Sequence, residues 1–333
     1  MIGQGETRLE HDPLGEMAVP RDAYYGVQTA RAVANFPISG MRPHPEWVRA
    51  TVMVKKAAAQ ANMATGRLDR TVGEAIARAA DEVLAGGLRD QFVVDAFQAG
   101  AGTSHNMNAN EVLANRASEL LGEPKGTYRR VHPNDHVNMA QSSNDVIPTS
   151  IRLAALFMLP ALLQSLDGLA EAFEQKAREF DEILKPGRTH LQDAVPIRLG
   201  QVFAAYVATI RQRTRDIQSA AELLGQLNIG ATAIGTGLNA EPEYRDLVIE
   251  GLRELTGLPL RKPDDYIEIT RSMGDFAHFS GSLRTLALEL SRIANYLRRM
   301  SSGQRTGMAE IRLTAVKPGS SILPGRVNAV MAE

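Results

Sequence analysis

Apolar residues recur at alternating steps of three and four along three long stretches of the chain. This spacing places them on one face of an α-helix. The three stripes are Leu159, Leu162, Leu166, Leu169, Phe173, Ala177, Phe180 and Leu184; then Leu199, Phe203, Tyr206, Ile210, Ile217, Ala220, Leu224 and Leu227; then Phe276, Phe279, Leu283, Leu286, Leu290, Ile293, Leu297 and Met300. Such stripes are typical of packed core, so the pattern predicts a mainly α protein with a central bundle of long helices.

The first 140 residues have a different texture, with shorter helical patterns at about 46–64 and 70–86 and several glycine- and proline-containing turns. We therefore predict an N-terminal, mainly helical domain over 1–140 and a long-helix domain over 141–333. The glycine-rich stretch 230–237 follows a helical pattern, which favours a tight backbone crossing between long helices and makes it a candidate lining of a site.

Composition narrows the class of protein. The 333 residues are 44% hydrophobic and 23% charged with a net charge of −1, so charge gives no indication of nucleic-acid binding. The chain has no cysteine, which excludes disulfides, thiolate metal sites and cysteine catalysis. The first 13 residues lack the apolar core of a signal peptide, and the apolar run Leu153–Leu163 is too short to cross a bilayer and contains Pro160. These features favour a cytoplasmic protein.

Polar blocks that packing does not explain lie at the ends of the helical patterns. Residues 100–111 carry small hydroxyl and amide side chains, and we expect a helix to begin after most of them, near Asn110. Residues 132–136 and 141–145 form a second block. Helix capping by Thr, Ser, Asn or Asp would also explain these two blocks.

Two further blocks lie in the second half of the chain. In residues 187–196, Asp193 and Pro196 predict a helix start, which leaves Thr189 and His190 in a turn where a histidine has no packing role. Residues 319–328 place two serines, a cation and an amide on one glycine-punctuated loop. Backbone N–H groups of such a loop can converge on a serine oxygen or a carboxylate.

The order of these motifs resembles the aspartase/fumarase superfamily of homotetrameric lyases. The resemblance runs from about residue 12 to the end and rests on motifs at 100–108, 132–138, 142–145 and 187–194 and on the closing Gly-Ser-Ser loop. It implies the long-helix fold of that superfamily, a dicarboxylate substrate and active sites shared between the subunits of a homotetramer. It also implies that the C-terminal part of the fold, including a small C-terminal domain, is missing from this chain.

The resemblance also implies roles for individual residues. Ser320 would be the base, and Glu333 would be the acidic partner of His190. The substrate carboxylate that becomes the dianion would bind Thr103, Ser142, Ser143 and Ser321; the other carboxylate would bind Arg326 and Asn328; and the leaving group would meet Asn144, Thr189 and His190. Arg326 departs from the pattern, which has lysine there, and arginine directs its charge differently.

The residues within these motifs leave two branches of the superfamily as alternatives. Ser104, Val195 and the run 230–235 resemble the ammonia-lyase branch, which eliminates ammonia from L-aspartate to give fumarate, whereas Ser143 resembles the class II fumarate hydratase branch. Three features against one favour the ammonia-lyase. A catalytically impaired fragment or helical scaffold is the alternative from a different class, supported by Arg326 and by the end of the chain at Glu333.

We expect neither a cofactor nor a metal, because the histidines are scattered and no helix presents two of them with a carboxylate at ligand spacing. His132 and Asn134 resemble residues of a peripheral anion site in the hydratase branch. A turn containing Pro, Asn and Asp needs no ligand to explain it, so these two are expected to be structural.

Overall fold

The computed structural model describes residues 6–303, 305–317, 319–323 and 328–332. In this part of the chain the helices are α1 (Val27–Asn35), α2 (Pro45–Ala64), α3 (Arg70–Leu84), α4 (Thr103–Leu120), α5 (Ser143–Glu179), α6 (Leu199–Leu223), α7 (Tyr244–Thr256), α8 (Tyr266–Arg271) and α9 (Gly274–Met300). Two antiparallel hairpins accompany them, β1 (Thr7–Asp12) with β2 (Gly15–Pro20) and β3 (Leu184–Thr189) with β4 (Gln192–Arg198). The predicted mainly α class and the three long helices are confirmed.

Two compact units make up the chain: residues 1–160 with 222–275, and residues 161–221 with 276–333. The first unit is organised around α2, most of whose residues between Val48 and Asn62 are buried. One face of α2 packs against α3 and α4, and the other packs against the first turns of α5 and against α7. The division into units falls inside α5, not at residue 140, because residues 222–275 return to pack on α2. The domain boundary near 140 stays a prediction.

The second unit contains the other half of α5, α6, most of α9 and the β3–β4 hairpin. The predicted stripe of α6 is buried along its whole length, and the rings of Phe173, Phe180, Phe203 and Tyr206 pack together with centroids 5.3–6.1 Å apart. The helix predicted for 159–184 is shorter than its apolar stripe, because α5 ends at Glu179 and Leu184 begins β3.

Two predicted helix starts are wrong. The helix expected near Asn110 begins at Thr103, so most of the polar block lies inside its first turns. Asp193 and Pro196 do not start a helix but lie in β4, and α6 begins at Leu199. The tertiary pairing of the hairpin overrides the local helix-start signal.

By length and composition, one described helix, α5, could cross a membrane. Its first half lies in the core of the first unit instead. There the buried guanidinium of Arg152 is 2.7 Å from Asp275 Oδ2 and 3.1 Å from Asn228 Oδ1. Paired charge and hydrogen-bonded side chains of this kind are typical of a core helix, in which burial removes the apolar face from water.

Asp95 anchors the segment that leads to the 100–111 block. Its carboxylate accepts hydrogen bonds from Ser39 Oγ at 2.7 Å and from the backbone N–H groups of Ser39, Gly40 and Phe97 at 2.8 Å each. Burial alone would raise the pKa of Asp95, but the Ser39 hydroxyl and the three backbone donors more than offset it and hold this pKa below its usual value.

A group with a lowered pKa in the folded state stabilises the protein above its unfolded pKa, and that contribution is lost as pH falls. Asp95→Asn should therefore lower the melting temperature at pH 7. The difference in melting temperature between the variant and the wild type should become smaller below about pH 4. Thermal unfolding of both proteins between pH 3 and pH 7 measures this difference. Asp90→Asn, an exposed neighbour, is the control; a difference that does not change with pH would contradict the role of the Asp95 charge.

Candidate active site

The predicted residues Ser142, Ser143 and Asn144 lie together where α5 begins. Asn144 donates from Nδ2 to the carbonyl oxygen of Ala233 at 2.8 Å, and the backbone N–H of Asn144 donates to Ser142 Oγ at 3.2 Å. Both serines are half-buried, so their hydroxyls remain accessible. The positive end of the α5 dipole adds to these donors, which together form a setting that favours a carboxylate.

The buried side chain of Asp145 holds the backbone of the turn at residues 142–144 in place. This side chain is fully buried and accepts hydrogen bonds from the backbone N–H groups of Ser142 at 2.9 Å, Gly230 at 3.1 Å and Thr232 at 2.9 Å. Burial raises the pKa of Asp145 to about 7, and the backbone donors and the charge of Lys55 act against this rise. Asp145 thus joins the turn of residues 142–144, called the serine turn below, to the glycine-rich stretch 230–237.

An open cavity of about 850 Å³ lies in front of these elements. It is lined by segments 138–143 and 232–239 together with Arg67, Asn134 and Asp135. A volume of this size holds a small ligand with room to spare. The prediction that the stretch 230–237 lines a cavity beside the candidate residues agrees with this geometry.

Thr103 stands at the first position of α4, after Gly102 in a left-handed conformation (φ 71°). A side chain at Gly102 would meet Ile147 of α5 at 2.9 Å, so glycine permits the close approach of the two helix starts. One turn further along α4, Asn106 Nδ2 lies 3.4 Å from Ser143 Oγ. The structure therefore brings the first turns of α4 and α5 together, with Thr103 exposed at the rim.

In the second unit, Thr189 and His190 lie at the tip of the β3–β4 hairpin. His190 and Leu191 both have positive φ angles, 50° and 63°, which is the conformation of a two-residue turn whose twist matches the hairpin. His190 and Leu191 line a cavity of about 520 Å³ with Arg188, Tyr206 and Arg292. Lys185 and Arg188 both form ion pairs with Glu310 at this cavity.

Ser320, Ser321 and Asn328 belong to one loop of the second unit. Asn328 Nδ2 donates to the carbonyl oxygen of Gly319 at 2.8 Å, and the backbone N–H of Ile322 donates to Ser320 Oγ at 3.3 Å. Ser320 is half-buried and Ser321 is exposed. The two remaining predicted residues, Arg326 and Glu333, lie outside the described residues.

His132 has a local structural role in the first unit. Its Nδ1 accepts hydrogen bonds from the backbone N–H groups of Asn134 and Asp135 at 3.2 Å each, at the start of the short helical segment Pro133–Val137. His132 and Asn134 also line a cavity of about 360 Å³ with His11, Asp12 and Tyr128. Within the described ranges, no group of three or more His, Asp or Glu side chains is arranged to hold a metal ion.

The candidate residues thus form three local groups: the helix starts of α4 and α5, the hairpin tip and the serine loop. Together their side chains offer hydroxyl and amide hydrogen-bond donors and a histidine. Neutral donors suit a site that must accept additional negative charge on an oxygen as a reaction proceeds.

No role was predicted from the sequence for Lys55 or Asn138, which lie beneath the serine turn. The one sequence feature that marks Lys55 is its position among the alanines and valines of α2.

The chain is similar in sequence to known lyases. A family model described as lyase matches residues 15–333. The aspartate ammonia-lyase of Bacillus subtilis is 52% identical over 331 residues, covering 99% of this chain and 70% of that protein, and the one of Escherichia coli is 50% identical, covering 98% and 69%.

Solved structures show the same fold. The cobalt-bound structure of fumarate lyase:delta crystallin from Brucella melitensis has a TM-score of 0.96 and 51% identity, covering 98% of this chain and 72% of that one. The class II fumarase of Schistosoma mansoni has a TM-score of 0.93 and 36% identity, with the same coverage.

Proposed function

Since the chain belongs to the lyase family, with the fold of the aspartase/fumarase superfamily, we propose that it eliminates ammonia from L-aspartate to give fumarate. The observation that carries this proposal is identity to aspartate ammonia-lyases at 50–52% over almost the whole chain. The likeness to the class II fumarase is weaker, at 36% identity. The chain is thus a carbon–nitrogen lyase in this proposal, and the reaction is reversible.

The chemistry explains the choice of side chains. The Ser320 alkoxide, stabilised by backbone N–H groups of its loop, takes a proton from the carbon next to one carboxylate and becomes a hydroxyl. The electron pair of that C–H bond delocalises into the carboxylate, and an enediolate-like dianion forms. When the C–N bond breaks, the electrons form the double bond of fumarate and ammonia leaves. The step that builds the dianion requires donors placed where charge develops.

The roles of the other residues follow from that charge distribution. Thr103, Ser142, Ser143 and Ser321 hold the carboxylate that becomes the dianion. Arg326 and Asn328 bind the second carboxylate; Asn144, Thr189 and His190 surround the leaving group; and Glu333 is the acidic partner of His190. The cavity beside the α5 helix start supports the first of these roles, because it places two serine hydroxyls and a helix N-terminus at one opening.

We also propose a homotetramer in the cytoplasm. The candidate residues are divided between three local groups, and in the proposed assembly different subunits would contribute them to one site. Closure of the serine loop over the substrate would exclude water and complete the site. A monomer of this chain should then be inactive, which sedimentation or light scattering together with activity would test.

The first measurement is of fumarate production. The ultraviolet absorbance of the conjugated double bond of fumarate is monitored in parallel assays that contain either L-aspartate or L-malate. We expect absorbance to rise with L-aspartate and not with L-malate. A rise with L-malate alone would assign the chain to the hydratase, the alternative that Ser143 favours. Absence of fumarate from either substrate would contradict both activities and favour a helical scaffold.

A further inference from the structure

A fully buried lysine lies beneath the serine turn of the first unit. Lys55 of α2 has no exposed surface, and among the described residues no carboxylate oxygen lies within 4.0 Å of its ammonium. Burial lowers the pKa of Lys55 to about 7, against the opposing effect of the Asp145 charge. Taking an ammonium out of water without a contacting counter-ion is unfavourable, whereas an apolar side chain would pack there without that penalty.

The two hydrogen bonds of Lys55 both lead to the serine turn. Its Nζ donates to Asn138 Oδ1 and to Gln141 Oε1, each at 2.9 Å. Gln141 immediately precedes Ser142, and its Nε2 donates to the carbonyl oxygens of Val137 at 3.0 Å and Met139 at 3.1 Å. One ammonium therefore fixes both ends of the segment that enters α5.

A second path runs from Lys55 to Ser143 through α4. Asn138 Oδ1, which accepts from Lys55, also accepts from Asn106 Nδ2 at 3.2 Å, and the same amide nitrogen lies 3.4 Å from Ser143 Oγ. Asn106 is itself buried. The hydroxyl of Ser143 is thus separated from the buried cation by only two carboxamide groups.

The serine turn lies between two buried titratable groups, Asp145 and Lys55. Asp145 holds the backbone of Ser142 on one side, and Lys55 holds Asn138 and Gln141 on the other. Burial raises the pKa of Asp145 to about 7, although three backbone N–H groups and the Lys55 charge act in the opposite direction. His105 has a pKa lowered to about 3 by burial and by the Lys55 charge, so it is neutral.

We propose that Lys55 is a positioning residue of the elimination site, which holds Ser142 and Ser143 through Asn138, Gln141 and Asn106 against a carboxylate that gains negative charge. The proposal rests on the function proposed above. A buried cation behind these hydroxyls stabilises the dianion more than the substrate, because the dianion carries one more negative charge in a region of low dielectric constant. Its effect belongs to kcat more than to KM.

Lys55→Met tests this role, because methionine keeps the length of the side chain and removes the ammonium and its hydrogen bonds. Lys56→Met is the matched control on the same helix, since Lys56 pairs with Asp81 at the surface and has no contact with the serine turn. Steady-state rates of fumarate formation from L-aspartate, expressed per mole of folded enzyme, give kcat and KM for each variant. We expect kcat to fall at least about tenfold for Lys55→Met with KM within about threefold of the wild type, and no change for Lys56→Met.

Asn106→Ala supplies a second test that does not disturb the lysine. It breaks the path from Asn138 to Ser143, and it should lower kcat in the same way; the double variant should lose less than the product of the two single losses, because both act through one network. If Lys55→Met does not fold, an unchanged kcat for Asn106→Ala overturns the proposal. An unchanged kcat for folded Lys55→Met, or a loss in KM alone, overturns it as well.

The same measurements separate this inference from the proposed function. If the wild-type protein forms no fumarate from L-aspartate, the proposed function is wrong, and the proposed role of Lys55 is wrong with it. A wild-type protein that is active, with Lys55→Met and Asn106→Ala equally active per folded molecule, keeps the function and removes only the role of Lys55.

Discussion

Ser320→Ala should abolish nearly all fumarate formation from L-aspartate, with a fall in kcat of roughly 10²- to 10⁴-fold. This is the range that removal of a positioned acid or base produces. The reason is that no other predicted group of the serine loop is placed as the base, and without it the proton next to the carboxylate has no acceptor.

The fold should tolerate this change. The Ser320 hydroxyl accepts only one described hydrogen bond, from Ile322 N–H at 3.3 Å in a loop with exposed neighbours. Substitutions at such positions usually change the free energy of unfolding by less than about 0.5 kcal/mol. Circular dichroism and urea unfolding should therefore show a native protein without activity.

Ser321→Ala is the matched neighbour for this experiment. It removes one donor to the substrate carboxylate and leaves the base, so its activity should lie between those of the wild type and Ser320→Ala. Equal activity of Ser320→Ala and the wild type, measured by absorbance of fumarate, would show that another group removes the proton.

The second large effect concerns stability. Asp145→Asn should lower the free energy of unfolding at pH 7 by about 1–3 kcal/mol, the range for leaving buried hydrogen-bonding groups unsatisfied. The amide cannot accept all three backbone hydrogen bonds that the carboxylate accepts from Ser142, Gly230 and Thr232. Urea unfolding of the two proteins measures the difference.

The pH dependence of that loss has a definite sign. In Asp145→Asn, the pKa of Lys55 in the folded state falls further, because the carboxylate charge that raises it is gone. Above about pH 7, Lys55 is deprotonated in both folded proteins, so this effect separates them only at lower pH. Asp145 in the wild type has a folded pKa raised to about 7, so its ionisation costs stability as pH rises from the unfolded value of about 3.9. The difference from the wild type should therefore shrink between pH 4 and pH 7 and stay constant above pH 7.

Asp265→Asn is the control for this prediction. Asp265 accepts hydrogen bonds from the N–H groups of Ile267 at 2.7 Å and Glu268 at 3.0 Å at the start of α8, but it is exposed. Asparagine caps a helix nearly as well as aspartate, so only a small loss is expected. A loss of similar size in both variants, or a difference that does not depend on pH, would contradict the raised pKa of the buried Asp145 carboxyl.

Repeats of three and four residues predicted the long helices because an α-helix has 3.6 residues per turn wherever it forms. The family, and the dicarboxylate chemistry that goes with it, followed from motifs in a fixed order, each confined to a few neighbouring residues. Prediction failed where competing local signals had to be weighed. Asp193 and Pro196 carry a helix-start signal, yet both lie in β4, where the backbone of Gly187 pairs with that of Val195.

The buried charges show the other limit of sequence reasoning. Nothing in the order of residues 55 and 56 tells which lysine is inside, since the answer depends on packing of α2 between α3, α4, α5 and α7.

By itself, the sequence determined the helical class, the three long helices and the family, because these depend on local periodicity and on short motifs. Only the tertiary structure decided that residues 55, 106, 138 and 145 meet beneath the serine turn. Such contacts join positions up to 83 residues apart along the chain, and they exist only once the helices have packed and removed these side chains from water.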